Sequence, residues 1–169
     1  IRVSHTKHMM KSLGRMARIP HDSIVVVNIG LHFNNKNSYG IFLEKFEELC
    51  LKNRCTNATI VWQETAAQHF PRSENGYFVE RGKCASGCVR VQAEKMRKLD
   101  FRNKMANLLM ERDGVPILHV WNLTQDAHDM HVQLNTNSGL CDCTHFCNVE
   151  MGVFRAYNRV LQAWLVKNT

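Results

Sequence analysis

The sequence predicts an α/β fold: an open, mostly parallel sheet with helices on both faces, a three-layer α/β/α arrangement. Two observations carry this expectation. Three short β-branched runs, 23–29, 58–62 and 115–121, are apolar without alternation, the pattern of strands buried on both faces. Between and after them lie stretches whose apolar residues recur at helical spacing, and strands that alternate with helices close into a parallel sheet through crossovers.

Taken in order, the first strand leads into Asn28-Ile29-Gly30-Leu31-His32-Phe33, and Phe42, Phe46, Leu49 and Cys50 then share one helical face. The second strand leads into Glu64-Thr65-Ala66-Ala67-Gln68-His69-Phe70. Phe101, Met105, Leu108 and Leu109 mark another helix, 115–121 the third strand, and Asp126-Ala127-His128 the loop after it. A polar, turn-rich stretch (135–139) and Asp142-Cys143-Thr144-His145 precede a last helix carrying Val149, Val153, Tyr157, Val160, Leu161, Trp164 and Leu165. Ligands of open α/β sheets bind beyond the carboxyl ends of the strands, which places the chemistry in these loops.

With 169 residues and 44% hydrophobic content, the chain has material for one core and not comfortably for two. It contains no run of 18 apolar residues, so none of it reads as a membrane span. It opens without an initiator Met or a signal-peptide pattern, as expected either of a processed chain or of one whose upstream portion is missing. A balance of 22 Lys+Arg against 15 Asp+Glu gives +7. The basic opening (Arg2, Lys7, Lys11, Arg15, Arg18) and the mixed block 90–112 come with no nucleic-acid motif, so nucleic acid is not an expected partner.

Seven cysteines and the sequons Asn57-Ala58-Thr59 and Asn122-Leu123-Thr124 together point to the secretory pathway. An odd count leaves one sulfur free or paired outside this chain.

The segment Asp142-Cys143-Thr144-His145-Phe146-Cys147 stands out chemically. Residues three apart near a helix start share a face, so the carboxylate and the imidazole are expected to meet there. In a Ser-His-Asp triad the carboxylate accepts the imidazole Nδ1 proton, and Nε2 takes the proton of the serine. The same segment can be drawn as a Cys/His zinc site through Cys141, Cys143, Cys147 and His145, with His128 and His131 adding nitrogen ligands. The spacing argues against this, because the other knuckle is Cys84-x3-Cys88 rather than a matching pair.

From about residue 20 to about residue 166 the chain resembles the PC-esterase or trichome-birefringence-like family of the SGNH/GDSL superfamily. The stretch 22–33 resembles that family's strand ending in Asn-x-Gly-x-aromatic. The stretch 62–70 with Gly82-Lys83-Cys84 is similar to its Thr-x-x-x-His-Phe segment and downstream Gly-x-Cys. Asp126-Ala127-His128 resembles its Asp-Ala/Gly-His loop, 142–147 its Asp-Cys-Ser-His-Trp-Cys, and Gly152-Val153 with Tyr157-Asn158 its Gly-Val and Trp-Asn.

The resemblance implies the C-terminal part of a single SGNH-type domain spanning 1–169, with Asp142 and His145 as catalytic residues. Asn28 and Gly30 would serve the oxyanion; the plainer reading is a turn in which Gly30 takes a positive φ. His69, with Glu64, would line or brace the active-site rim, or cap a loop, and His128 would face substrate or stand behind it. The resemblance also implies a Cys84–Cys143 disulfide and a bond from Cys147 to a cysteine upstream, with Cys50–Cys55 and Cys88–Cys141 as further pairs.

The implied activity is transfer of acetyl groups onto, or off, hydroxyls of a cell-wall or secreted polysaccharide, in the Golgi lumen or outside the cell. No cofactor is expected, the acetyl donor is unassigned, and any membrane anchor would lie upstream. A glycan-binding protein that kept the fold and lost the reaction is the alternative.

The chain departs from the family at its nucleophile, for no Gly-Asp-Ser occurs. Ser23 precedes its strand, and Ser86 and Ser138 lack the strand-to-helix elbow. The serine is therefore expected upstream of Ile1, and the chain alone is expected to be inert. Thr124 stands where many plant relatives carry Arg, and Phe33-Asn34 where they carry paired aromatics.

Overall fold

A computed structural model describes residues 13, 15–16, 18–71, 73–74, 76–78, 87–135, 140–147 and 152–168. The chain is mixed α/β and divides into two compact units, Ile1–Glu64 with Phe101–Ile117, and Thr65–Asp100 with Leu118–Thr169.

The first unit opens on β1 (Ile24–Val27), followed by a 3-10 turn (Gly30–His32) and helix α1 (Lys36–Phe46). Asn35 starts α1 by accepting the Ser38 N–H at 3.1 Å, the usual satisfaction of an orphan donor at a helix start. The helix widens into a π-helical turn, Glu47–Lys52, closed by a Cys50–Cys55 disulfide as the sequence suggests. Strand β2 (Thr59–Gln63) then runs parallel to β1, with Ile24 opposite Thr59 and Val27 opposite Trp62. The sheet has the order β1-β2-β3, where β3 is the two-residue strand Ile117–Leu118 at the boundary of the units. Trp62 N–H donates to Pro116 O at 2.8 Å.

Phe33, Tyr39, Phe42, Phe46, Trp62, Ala106 and Met110 form the core of this unit. Two of its layers come from α1 and from α3 (Phe101–Arg112). Helix α3 ends at Gly114, whose φ of +67° suits a glycine just past a helix; there Val115 N–H reaches back to Met110 O at 2.8 Å.

The helical faces differ from expectation at their margins. Leu108 is 70% exposed, Leu49 is also exposed, and the inward positions of α3 are Arg102, Asn103, Ala106 and Met110. Strand β1 is likewise not buried on both faces: Ile24 and Val26 are 38% and 40% exposed. As an edge strand it alternates, which an apolar run cannot reveal.

Buried Arg102 pins the loop after β1. Its Nε donates to Phe33 O at 2.8 Å and its Nη2 to Asn34 Oδ1 at 3.0 Å, two bonds that offset part of the cost of burying the charge.

The second unit holds α2 (Ala93–Leu99), the single turn α4 (Trp121–Thr124), a 3-10 turn (His128–Met130), an antiparallel hairpin of β4 (His131–Asn135) and β5 (Leu140–Phe146), and helix α5 (Val153–Asn168). The predicted stripe of α5 is visible as alternation of partly covered Tyr157, Val160, Leu161, Trp164 and Leu165 with exposed neighbours; Val149 lies outside the described residues. Among the described residues its buried apolar side chains form small clusters: Ala67, Val91, Met96 and Trp121, then Phe70, Cys88 and Cys143, then Ala127, Phe146 and Val153.

Cys143, fully buried, bonds Cys88. This corrects both the Cys84–Cys143 and the Cys88–Cys141 pairings, since one sulfur closes one disulfide. Cys84 itself lies outside the described residues. Cys147 is in no disulfide among the described residues.

Candidate active site

Asp142 and His145 meet, though not by the route the sequence suggests. They lie on β5, not at a helix start, and in a regular strand residues three apart point to opposite faces. The register explains the contact. His131 pairs with Phe146 and Gln133 with Asp142, so 143–145 stand opposite Val132 alone. The surplus residues coil into a bulge, which re-aims side chains. Within it Asp142 Oδ1 accepts the N–H of His145 at 2.9 Å and of Thr144 at 3.2 Å.

The imidazole closes the motif, with His145 Nδ1 2.8 Å from Asp142 Oδ2 and 3.0 Å from Oδ1. A carboxylate only accepts, so Nδ1 carries the proton and Nε2 presents its lone pair outward. The His145 side chain is 75% exposed and that of Asp142 30%. Partial burial raises the Asp142 pKa, but the His145 N–H, the His145 imidazole and the Thr144 N–H outweigh it and hold the carboxyl below its usual range. The pair is thus an ionised carboxylate orienting a solvent-facing base.

The bulge is braced from behind. Cys143 is anchored by its disulfide, and its carbonyl accepts the His69 N–H at 3.2 Å. Gln68 Nε2 donates to Thr144 Oγ1 at 2.6 Å. Cys147 N–H donates to Met130 O at 2.8 Å.

His69 is fully buried, which corrects its assignment to substrate: no solvent-borne ligand touches it. Its Nδ1 lies 2.7 Å from His131 Nε2 and its Nε2 3.0 Å from Gln125 O. His131, drawn from sequence only as a metal ligand, is equally buried; its ring stacks on Phe146 with centroids 4.2 Å apart, and its Nδ1 lies 3.2 Å from His145 O. Histidines 62 residues apart leave no local signal of such a pair.

His128 is half-buried on its 3-10 turn, with Nδ1 3.2 Å from Asp126 O. Thr124 is buried. Its hydroxyl donates to Trp121 O at 2.9 Å and accepts the Ala67 N–H at 3.0 Å, a role for a short side chain in a dry site.

Asn28 and Gly30 belong to the first unit. Asn28 Nδ2 donates to Gln63 O at 2.7 Å, and Gly30 is buried at the start of its turn without a positive φ, which removes the conformational reason for glycine there. Glu64, also in the first unit, accepts from Asn107 Nδ2 at 2.8 Å and is a buried brace.

The zinc arrangement loses Cys143 to a disulfide, and among the described residues no group of three or more His, Cys, Asp or Glu converges on a common point. Ser86 and Ser138 lie outside the described residues, and Ser23 precedes β1. Compared with known proteins, the chain matches no family model and no curated sequence.

Proposed function

We propose that this chain supplies the acid-base half of an SGNH-type Ser-His-Asp centre that transfers acetyl groups to, or from, hydroxyls of a secreted or cell-wall glycan. The observation that carries the proposal is the outward-facing His145 imidazole held through Nδ1 by the Asp142 carboxylate at 2.8 Å. A serine from outside the described residues attacks the acetyl carbonyl while His145 Nε2 takes its proton. The tetrahedral intermediate collapses as the same nitrogen protonates the leaving oxygen. The acyl-serine is then attacked by a sugar hydroxyl or by water, with His145 again serving as base and then acid.

The alternative is a glycan-binding protein that has lost the reaction; the Asn28 amide is already bonded to Gln63 O within its own unit. Two disulfides support a secretory setting, with the Golgi lumen or the extracellular space as proposed sites. Asn57 and Asn122 of the sequons are exposed, and no helix among the described residues is long and apolar enough to cross a membrane.

The test is a serine-reactive phosphonate applied to this chain and to a form extended upstream through the expected Gly-Asp-Ser block. Labelling of the extended form alone, lost in His145→Ala, is the expected result. Stoichiometric labelling of a serine within 1–169 would relocate the nucleophile, and full labelling of extended His145→Ala would remove the triad assignment.

A further inference from the structure

We infer that His69 and His131 share one proton across their 2.7 Å contact, and that the resulting imidazolium–imidazole pair positions the bulge carrying Asp142 and His145. The positioning role rests on the acyl-transfer reading; the shared proton does not.

Two neutral imidazoles supply one N–H too few for the three contacts they make. His69 Nε2 faces the Gln125 carbonyl and His131 Nδ1 faces the His145 carbonyl. A carbonyl accepts and never donates, so both contacts are hydrogen bonds only when both of these nitrogens carry hydrogen. In neutral rings the facing nitrogens, His69 Nδ1 and His131 Nε2, would then both present lone pairs, at a buried site with no room for a water between them. Two opposed acceptors at hydrogen-bonding distance are unfavourable, and a single added proton turns the contact into a charge-assisted N–H···N bond. A metal in its place fits poorly: tetrahedral zinc holds two nitrogens roughly 3.3 Å apart.

The surroundings resist charge on either ring, and a second charge more than a first, so it is the N–H···N bond that holds the first proton. Burial, first of all, pushes the His69 imidazole below its ordinary value; the Gln125 carbonyl, Asp126 and Asp129 favour its protonation, and His128 opposes it. Burial and then the His69 charge push His131 to about 4, against the His145 carbonyl and Asp142, with His128 again opposing. Once one proton is shared, the second is refused until the pH is low.

The pair reaches the candidate site through the backbone. From Gln125 O through both rings to His145 O is one chain of hydrogen bonds, and the His131 ring lies flat on Phe146, at the far side of the bulge. His131 thus fixes the carbonyl of the very residue whose side chain is the base, as a positioning residue that never meets substrate.

The experiment is imidazole nitrogen NMR on the full chain labelled with 15N-histidine. Between about pH 5 and 8, the range in which a free histidine titrates, one charge and three N–H groups are expected over the four ring nitrogens, with a far-downfield shared proton. Two N–H groups, and both facing nitrogens unprotonated, would overturn the shared proton.

Positioning is read separately. In the extended form, His131→Phe keeps the ring on Phe146 but loses the donor; kcat for a nitrophenyl acetate is expected to fall roughly tenfold at unchanged KM, the rate equivalent of one hydrogen bond. Amide exchange at 142–146 should quicken, and His131→Gln, which keeps an N–H, should restore part of both. Unchanged amide exchange in His131→Phe would overturn the positioning role. Absence of turnover in the unsubstituted protein would count against acyl transfer alone, with NMR and exchange still reading the pair.

Discussion

Acidification should destabilise the second unit by an amount that counts protons in the buried histidine pair. In the unfolded chain both rings titrate near 6.5, whereas in the folded unit the second proton enters only near about 4, where burial and the first charge have pushed His131. Between those values the unfolded state therefore holds one proton more than the folded state. Stability falls as pH drops through this window and stops falling, on this account, below about 4. One proton corresponds to about 1.4 kcal/mol per pH unit, or about 3 kcal/mol over the window.

The comparison protein is His69→Gln with His131→Gln, which keeps an amide donor toward each carbonyl but cannot titrate. Urea unfolding at pH 7, 6, 5 and 4, followed by hydrogen exchange of peptides from 65–100 and 118–169, gives the two profiles. They should diverge by about 3 kcal/mol as pH falls. Parallel profiles would refute the reasoning, and a divergence of about twice that size would show a pair that holds no proton at neutral pH.

Other perturbations test separate parts of the molecule. Asp142→Asn in the extended form should lower turnover by about 10⁴ with folding intact, since an amide no longer fixes the imidazole tautomer; steady-state ester hydrolysis beside a thermal melt checks both halves. Cys88→Ser opens a crosslink spanning 55 residues, a loss of about 4 kcal/mol in the chain-entropy model, measurable as a lower urea midpoint in the second unit. Phe46→Ala empties a fully buried position against Phe42 and Trp62 and should cost about 3 to 5 kcal/mol; Leu108→Ala, on an exposed surface, should change stability by less than about 0.5 kcal/mol. Gly76→Ala sets a Cβ against the Gln68 carbonyl at a φ of +73° and should loosen the 68–78 loop, seen as faster exchange of the Phe70 amide, which donates to Gly76 O.

The legible parts of the chain were those in which local pattern and tertiary role agree. The apolar runs near 24–27 and 59–63 became paired strands in register, and periods of 3.6 marked α1, α3 and α5, because a helix or strand must bury one face whatever it packs on. Asp142 and His145 were legible as a pair through their residue types and closeness in sequence, while the helical spacing expected to join them does not occur. The Cys50–Cys55 pair, expected only as a further pairing beside those the resemblance implies, closes in the structure.

Other features carried no such local mark. Helix α2 offers one buried apolar residue, Met96, which packs with Ala67, Val91 and Trp121, and leaves Leu99 exposed; Arg97 adds a contact over the Trp121 ring and donates to Asn122. The hairpin had a faint signal in the alternation of Val132 and Leu134, hidden because β5 carries surplus residues that break its period.

By itself, then, the sequence marked strands β1 and β2 and helices α1, α3 and α5, whose patterns follow from the spacing of neighbours along the chain, and it offered Asp142 and His145 as a carboxylate and an imidazole close in sequence. Only the tertiary structure decided that the pair sits on a bulge, that Cys143 closes onto Cys88, and that His69 meets His131. Each of these depends on register or on contacts between residues dozens of positions apart. Such contacts are selected by the burial of whole surfaces, and no short stretch of sequence records them.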